Sequence, residues 1–107
     1  MANPMRIRAE IRDGLTEVRL LIPHPMESGQ RKDENGAPIP AHFITALEIF
    51  HRERLVFGAE FGPSVSANPF LRFRFAGAVA GDRLVARWQD NRGDSRRDEA
   101  TVAAAKR

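Results

Sequence analysis

Cysteine and tyrosine are absent from this 107-residue chain, and tryptophan occurs once. Without a thiol there can be no disulfide framework, no thiolate metal site and no cysteine nucleophile, so the fold must hold together by packing. No apolar run approaches the about 20 residues that a membrane-crossing helix needs. The opening stretch MANPMRIRAEIRDG lacks the apolar core and small-residue cleavage site of a secretory leader, which predicts a chain that is exported only if something else carries it. The eight glycines fall singly rather than as a phosphate cradle. Acidic charge is in modest deficit: 17 Lys and Arg against 14 Asp and Glu leave a formal +3. The excess is nearly all arginine, interleaved with carboxylates in RIRAEIRD, HRER and RGDSRRDE. Such interleaving is the mark of solvated strand faces, and it is a weak nucleic-acid signal.

What is present is alternation with a period of two, which predicts strands with one wet and one buried face. Ile7, Ala9 and Ile11 alternate with Arg6, Arg8, Glu10 and Arg12. Asp13-Gly14 is a hairpin turn pair, after which Val18, Leu20 and Ile22 share a face. Further along, Phe43, Leu47 and Ile49 alternate, His51 to Arg54 read as a polar turn, and Leu55, Phe57, Ala59 and Phe61 alternate again. Leu71, Phe73 and Phe75 oppose Arg72 and Arg74. Leu84, Ala86 and Trp88 then lie on one inner face, and DNRGD turns the chain into SRRDEATVAAA. Glu99 to Lys106 has helical propensity, with a sheet edge or a frayed end as equal alternatives. About seven strands at this spacing predict one all-β domain over residues 1–107, an immunoglobulin-like antiparallel β-sandwich.

Chemistry is hard to place on this pattern. Ser28, Ser64, Ser66 and Ser95 with His24, His42 and His51 are the candidates for a hydrolase, yet none sits in a nucleophile-elbow context. The histidines stand 18 and 9 residues apart, and no two share a local face, so no metal site is predicted. Asp33-Glu34 and Asp98-Glu99 are adjacent pairs, and neighbours on a strand point to opposite faces. Phe73 and Phe75 likewise turn away from Arg72 and Arg74, unlike an RNA-stacking platform. The residues therefore predict a non-enzymatic β-sandwich without a cofactor, with a basic domain binding nucleic acid or another polyanion as the alternative.

Two stretches carry a family resemblance. HPMESGQRKD (24–33) followed by PIPAHFI (38–44) resembles the signature loop of the SoxZ family of bacterial sulfur oxidation, and SVSANPFLRFRF (64–75) resembles its second signature. The spacing of the intervening strands fits over nearly the whole chain, including GDRLVARWQDNRGD. Arg87, Gln89, Asn91 and Arg92 stand where the family is more Thr-rich and acidic, which alters surface charge rather than fold.

The resemblance implies a scaffold that pairs with a SoxY-like subunit, on whose cysteine arm sulfur intermediates ride during thiosulfate oxidation. It also implies transient contact with other Sox enzymes, and a periplasmic location reached by export together with that partner. No nucleic acid and no membrane are expected to bind. Partner contacts are expected in the opening loop, from Met26, Glu27, Gln30 and Arg31, unless that loop folds on itself. Others are expected on a Phe-rich surface from Phe61 and Ser66 to Phe70, with Asn68 and Pro69 shaping the loop.

Overall fold

The computed structural model describes residues 2–104, which form seven antiparallel strands in two sheets. The first sheet holds β1 (Arg6–Arg12), β2 (Leu15–Leu21) and β5 (Phe70–Phe75), in the order β1-β2-β5. The second holds β3 (Ile44–His51), β4 (Arg54–Glu60), β6 (Arg83–Asp90) and β7 (Ser95–Thr101), in the order β4-β3-β6-β7. This is the expected immunoglobulin-like sandwich. Asp13 and Gly14 both take positive φ, 51° and 80°, as a two-residue hairpin turn that follows the strand twist requires.

The inner faces are those that alternation predicts for β1, β2, β5 and β6. Val18, Leu20, Leu84, Ala86 and Trp88 are buried between the sheets. The phase breaks in β3 and β4. A register shift between Ile44 and Ala46 places Ile44 in the core, while Phe43 lies before the strand. A second shift opposes Leu55 to Phe50 and Phe57 to Ile49, so Leu55 is turned outward and stays 50% exposed. A bulge inserts one residue, and one residue reverses every side chain beyond it.

The two sides of the sandwich close differently. After β7, Val102 is buried, and Ala103 pairs with β1: Ile11 N–H donates to Ala103 O at 3.1 Å and Ala103 N–H donates to Ala9 O at 2.8 Å. The stretch from Glu99 to Ala103 is thus an extended sheet edge rather than a helix, and Lys106 lies outside the described residues. On the opposite side, among the described residues, β4 and β5 each pair with a single strand. There Phe57 and Phe73 stack across the gap between the sheets, with centroids 4.7 Å apart.

The Pro-bracketed loop between β2 and β3 folds on itself. Glu27 and His42 exchange backbone hydrogen bonds of 2.7 and 2.9 Å, Ile39 N–H donates to Arg31 O, and Lys32 pairs with Pro38. At the tip, Asp33 Oδ1 accepts from Asn35 N–H and Ala37 N–H. Gly29 takes φ +89°, and a Cβ there would sit 3.1 Å from the Ala41 Cβ, so the two sides of this arm approach as closely as glycine allows.

Candidate functional site: a buried His-Asp-His cluster beneath the arm

Three stretches distant in sequence meet at the base of the arm. His24 N–H donates to Asn68 Oδ1 at 3.1 Å, and Asn68 N–H donates back to His24 O at 2.9 Å. Asn68 adopts φ 52°, a left-handed conformation that asparagine tolerates well. Ile22 N–H donates to Pro69 O at 2.9 Å. The two segments that resemble SoxZ signatures are therefore hydrogen-bonded to each other, and the third stretch, at the end of β6, provides the carboxylate beneath them.

That carboxylate is Asp90. Its Oδ2 lies 3.1 Å from His24 Nε2 and 2.9 Å from His42 Nε2, while its Oδ1 accepts from Arg92 N–H and Asp94 N–H at 2.9 Å each. Burial alone would raise its pKa, but the donors from His24, Asp94, Arg92 and His42 together hold it below the ordinary value. His24 is buried edge-on against both His42, at 4.6 Å, and Trp88, at 5.2 Å. A shallow hollow of about 300 Å³ opens beside the cluster, lined in part by Asn3, His24, His42, Asn68 and Trp88.

Two imidazoles and a carboxylate within 4.8 Å of one another have the spacing of a divalent metal site. The protons do not fit it. His24 Nδ1 accepts Met26 N–H at 3.0 Å, so the ring proton sits on Nε2 and is donated to Asp90. A ligating His Nε2 must instead offer a lone pair, with its other nitrogen donating to an acceptor. The cluster is a set of hydrogen bonds around one carboxylate, suited to pinning the arm to β6.

Sequence spacing does not reveal this group. In the sequence Asp90 reads only as a turn residue, and its proximity to His24 and His42 depends on the arm bringing its two sides together. The one local signal is an aspartate followed two and four residues later by backbone N–H groups that it accepts.

The expected contact residues fall in different settings. Met26 is 7% exposed, with φ 49°, and its Sδ accepts Ile44 N–H at 3.3 Å, so it plugs the core rather than offering a surface contact. A thioether can fill such a gap because it is unbranched and polarizable. Glu27 and Arg31 pair with each other, Arg31 Nε donating to Glu27 Oε2 at 2.9 Å, and this holds Glu27 below its ordinary pKa. Gln30 is exposed and donates its N–H to Ser28 Oγ. Phe61 packs part-buried against the core, Ser66 is exposed, Pro69 is buried, and Phe70 is 62% exposed. Among the described residues no hydrogen bond joins Ser28, Ser64, Ser66 or Ser95 to a histidine.

A second histidine-carboxylate group joins the end of β3 to the loop between β5 and β6. His51 Nε2 lies 2.8 Å from Asp82 Oδ2, with Val79 N–H and Arg52 also donating. These donors, His51 foremost, lower the Asp82 pKa from 3.8 to about 2. Because the folded value lies below the unfolded one, this carboxylate supports the fold fully above the ordinary 3.8, and the support is lost as pH falls through about 2. Urea midpoints at about pH 5 and about pH 2.5 should show a smaller acid loss in Asp82→Asn than in the parent chain; equal losses would assign the acid sensitivity elsewhere.

The geometry defines a small β-sandwich domain in which buried polar groups position a loop. Residues 5–101 match the family model described as "Sulphur oxidation protein SoxZ", and the chain belongs to the SoxZ family. No curated protein is significantly similar to it. Among solved structures, it is similar to a superoxide reductase (neelaredoxin) from Ignicoccus hospitalis, at 17% identity and TM-score 0.66 over 97% of this chain and 82% of that one. A hypothetical protein from Pyrococcus horikoshii OT3 matches at 21% identity and TM-score 0.66, over 94% and 88% of the two chains. A superoxide reductase from Archaeoglobus fulgidus matches at 21% identity and TM-score 0.62, over 94% and 86%. At these identities the likeness is one of fold.

Proposed function

We propose that this chain is the non-carrying subunit of a sulfur-carrier complex. Membership of the SoxZ family places it in the Sox sulfur-oxidation system. Within that system it would support a SoxY-like partner whose cysteine arm bears the sulfur intermediates of thiosulfate oxidation, in the periplasm, after export of the two chains together. Other Sox enzymes would reach the cargo by visiting the complex. The observation that carries this reading is the family match over residues 5–101 in a chain with no cysteine, which leaves the covalent chemistry to another subunit.

The open side of the sandwich suits such a partner. Among the described residues β4 and β5 each have one edge without a partner strand, and Leu55 on β4 and Phe70 on β5 are 50% and 62% exposed. Exposed edges and apolar side chains are liabilities until something covers them. Co-expression with a SoxY-like subunit, followed by purification and native mass measurement, should give a one-to-one complex with sulfur adducts on the partner's cysteine. A chain that purifies alone as a soluble monomer and ignores that partner would overturn the reading.

A further inference from the structure

Arginines that are scattered in the sequence gather on one face of the fold. On the outer side of the β1-β2-β5 sheet lie Arg6, Arg8, Arg12, Arg19, Arg72 and Arg74, all exposed, against two carboxylates, Glu10 and Glu17. The strand register sets Arg8 opposite Arg19 and Arg19 opposite Arg72, so three guanidinium side chains form one row across three strands. Like charges placed directly opposite on a sheet repel each other, and such a row weakens the fold that carries it.

The two glutamates neutralise the row only at its centre. Glu10 pairs with Arg12 at 2.6 Å, and Glu17, buried at the sheet surface, pairs with Arg19 at 3.0 Å and Arg74 at 3.5 Å. Among the described residues Arg6, Arg8 and Arg72 make no ion pair. The outer face of the other sheet is different, since Arg87 pairs with Glu48 and both Arg97 and Arg83 pair with Glu99. At one end of the arginine face, Leu21 and the exposed Phe70 are paired neighbours and add an apolar contact.

We propose that this face, centred on the Arg8-Arg19-Arg72 row, is a salt-sensitive docking surface for an acidic protein partner. Separate arginines across a sheet face match carboxylates spread over a protein surface, and complementary charge of this kind accelerates encounter and selects partners. A nucleic acid strand fits less well. Phe73 and Phe75 point inward, leaving no series of rings for bases to stack on. A strand lying across the sheet would also meet Glu10 and Glu17 in the row beside the arginines. The face shares β5 and Phe70 with the open side, but the arginine row itself is argued from charge and register alone, so a failure of the carrier reading would leave it standing.

The test uses the full chain and a fluorescein-labelled peptide of about 20 glutamates, with polarization measured at about 50 mM and about 300 mM salt. Binding should weaken at least tenfold at the higher salt, and Arg8→Gln/Arg72→Gln should weaken it about tenfold at the lower. Arg87→Gln/Arg97→Gln, on the opposite sheet, should leave it within about twofold. Equal losses from the two double variants would mean diffuse charge rather than a site. Loss confined to the control variant, no binding at low salt, or tighter binding of a dT20 oligonucleotide with the same dependence on Arg8 and Arg72 would each overturn the proposal.

Discussion

Replacing Asp90 with alanine should lower the unfolding free energy by about 3 to 5 kcal/mol, because it removes the shared acceptor of four donors in one buried place. His24 and His42 both reach Asp90 Oδ2, and the Arg92 and Asp94 N–H groups both reach Oδ1. With the carboxylate gone, the buried His24 Nε2–H has no acceptor, and its other nitrogen is already engaged by Met26 N–H. The loss should exceed what truncating an exposed carboxylate costs, which is within about 0.5 kcal/mol. Asp90→Asn should cost about 2 kcal/mol, since one oxygen still serves one pair of donors while the new NH₂ faces the other pair. Urea unfolding followed through the fluorescence of Trp88, the chain's one tryptophan, measures both. A loss below about 1 kcal/mol for Asp90→Ala would mean that the histidines find other partners.

Trp88→Ala should be comparably damaging, at about 3 to 5 kcal/mol, by opening a cavity where Trp88 packs with Leu47, Ile44 and the His24 ring. Trp88 is 2% exposed, and its Nε1 has no hydrogen-bond partner among the described residues. The ring is therefore valuable for its volume, and its N–H adds nothing to stability. Trp88→Phe should accordingly lose less than half as much as Trp88→Ala, because it keeps an aromatic edge against His24 and discards a buried donor without an acceptor. Circular dichroism through thermal and urea unfolding tests both variants without relying on the indole. Equal losses would show that the indole N–H is satisfied and contributes.

Both experiments concern a site that strand periodicity does not disclose. His24 and His42 look isolated at a spacing of 18 residues, and they meet because the arm pairs Glu27 with His42 and folds its sides together. Met26 has the look of a flexible surface contact in a polar loop. Its place in the core follows from a left-handed backbone and a hydrogen bond from Ile44, neither of which has a local sequence sign. Leu55 departs in the opposite direction, since one bulge residue reverses the face that alternation assigns to it.

Seven strands, their turns and most of their buried faces are legible directly in the order of residues, because alternation and turn chemistry act between near neighbours. The absence of cysteine likewise rules out a thiol role for this chain by composition alone. Two features belong to the tertiary structure alone. The Asp90 cluster joins residues up to 66 positions apart, and Arg8, Arg19 and Arg72 become a row only when β1, β2 and β5 take their register. Both rest on which strands are neighbours, and that is decided by the packing of the whole core.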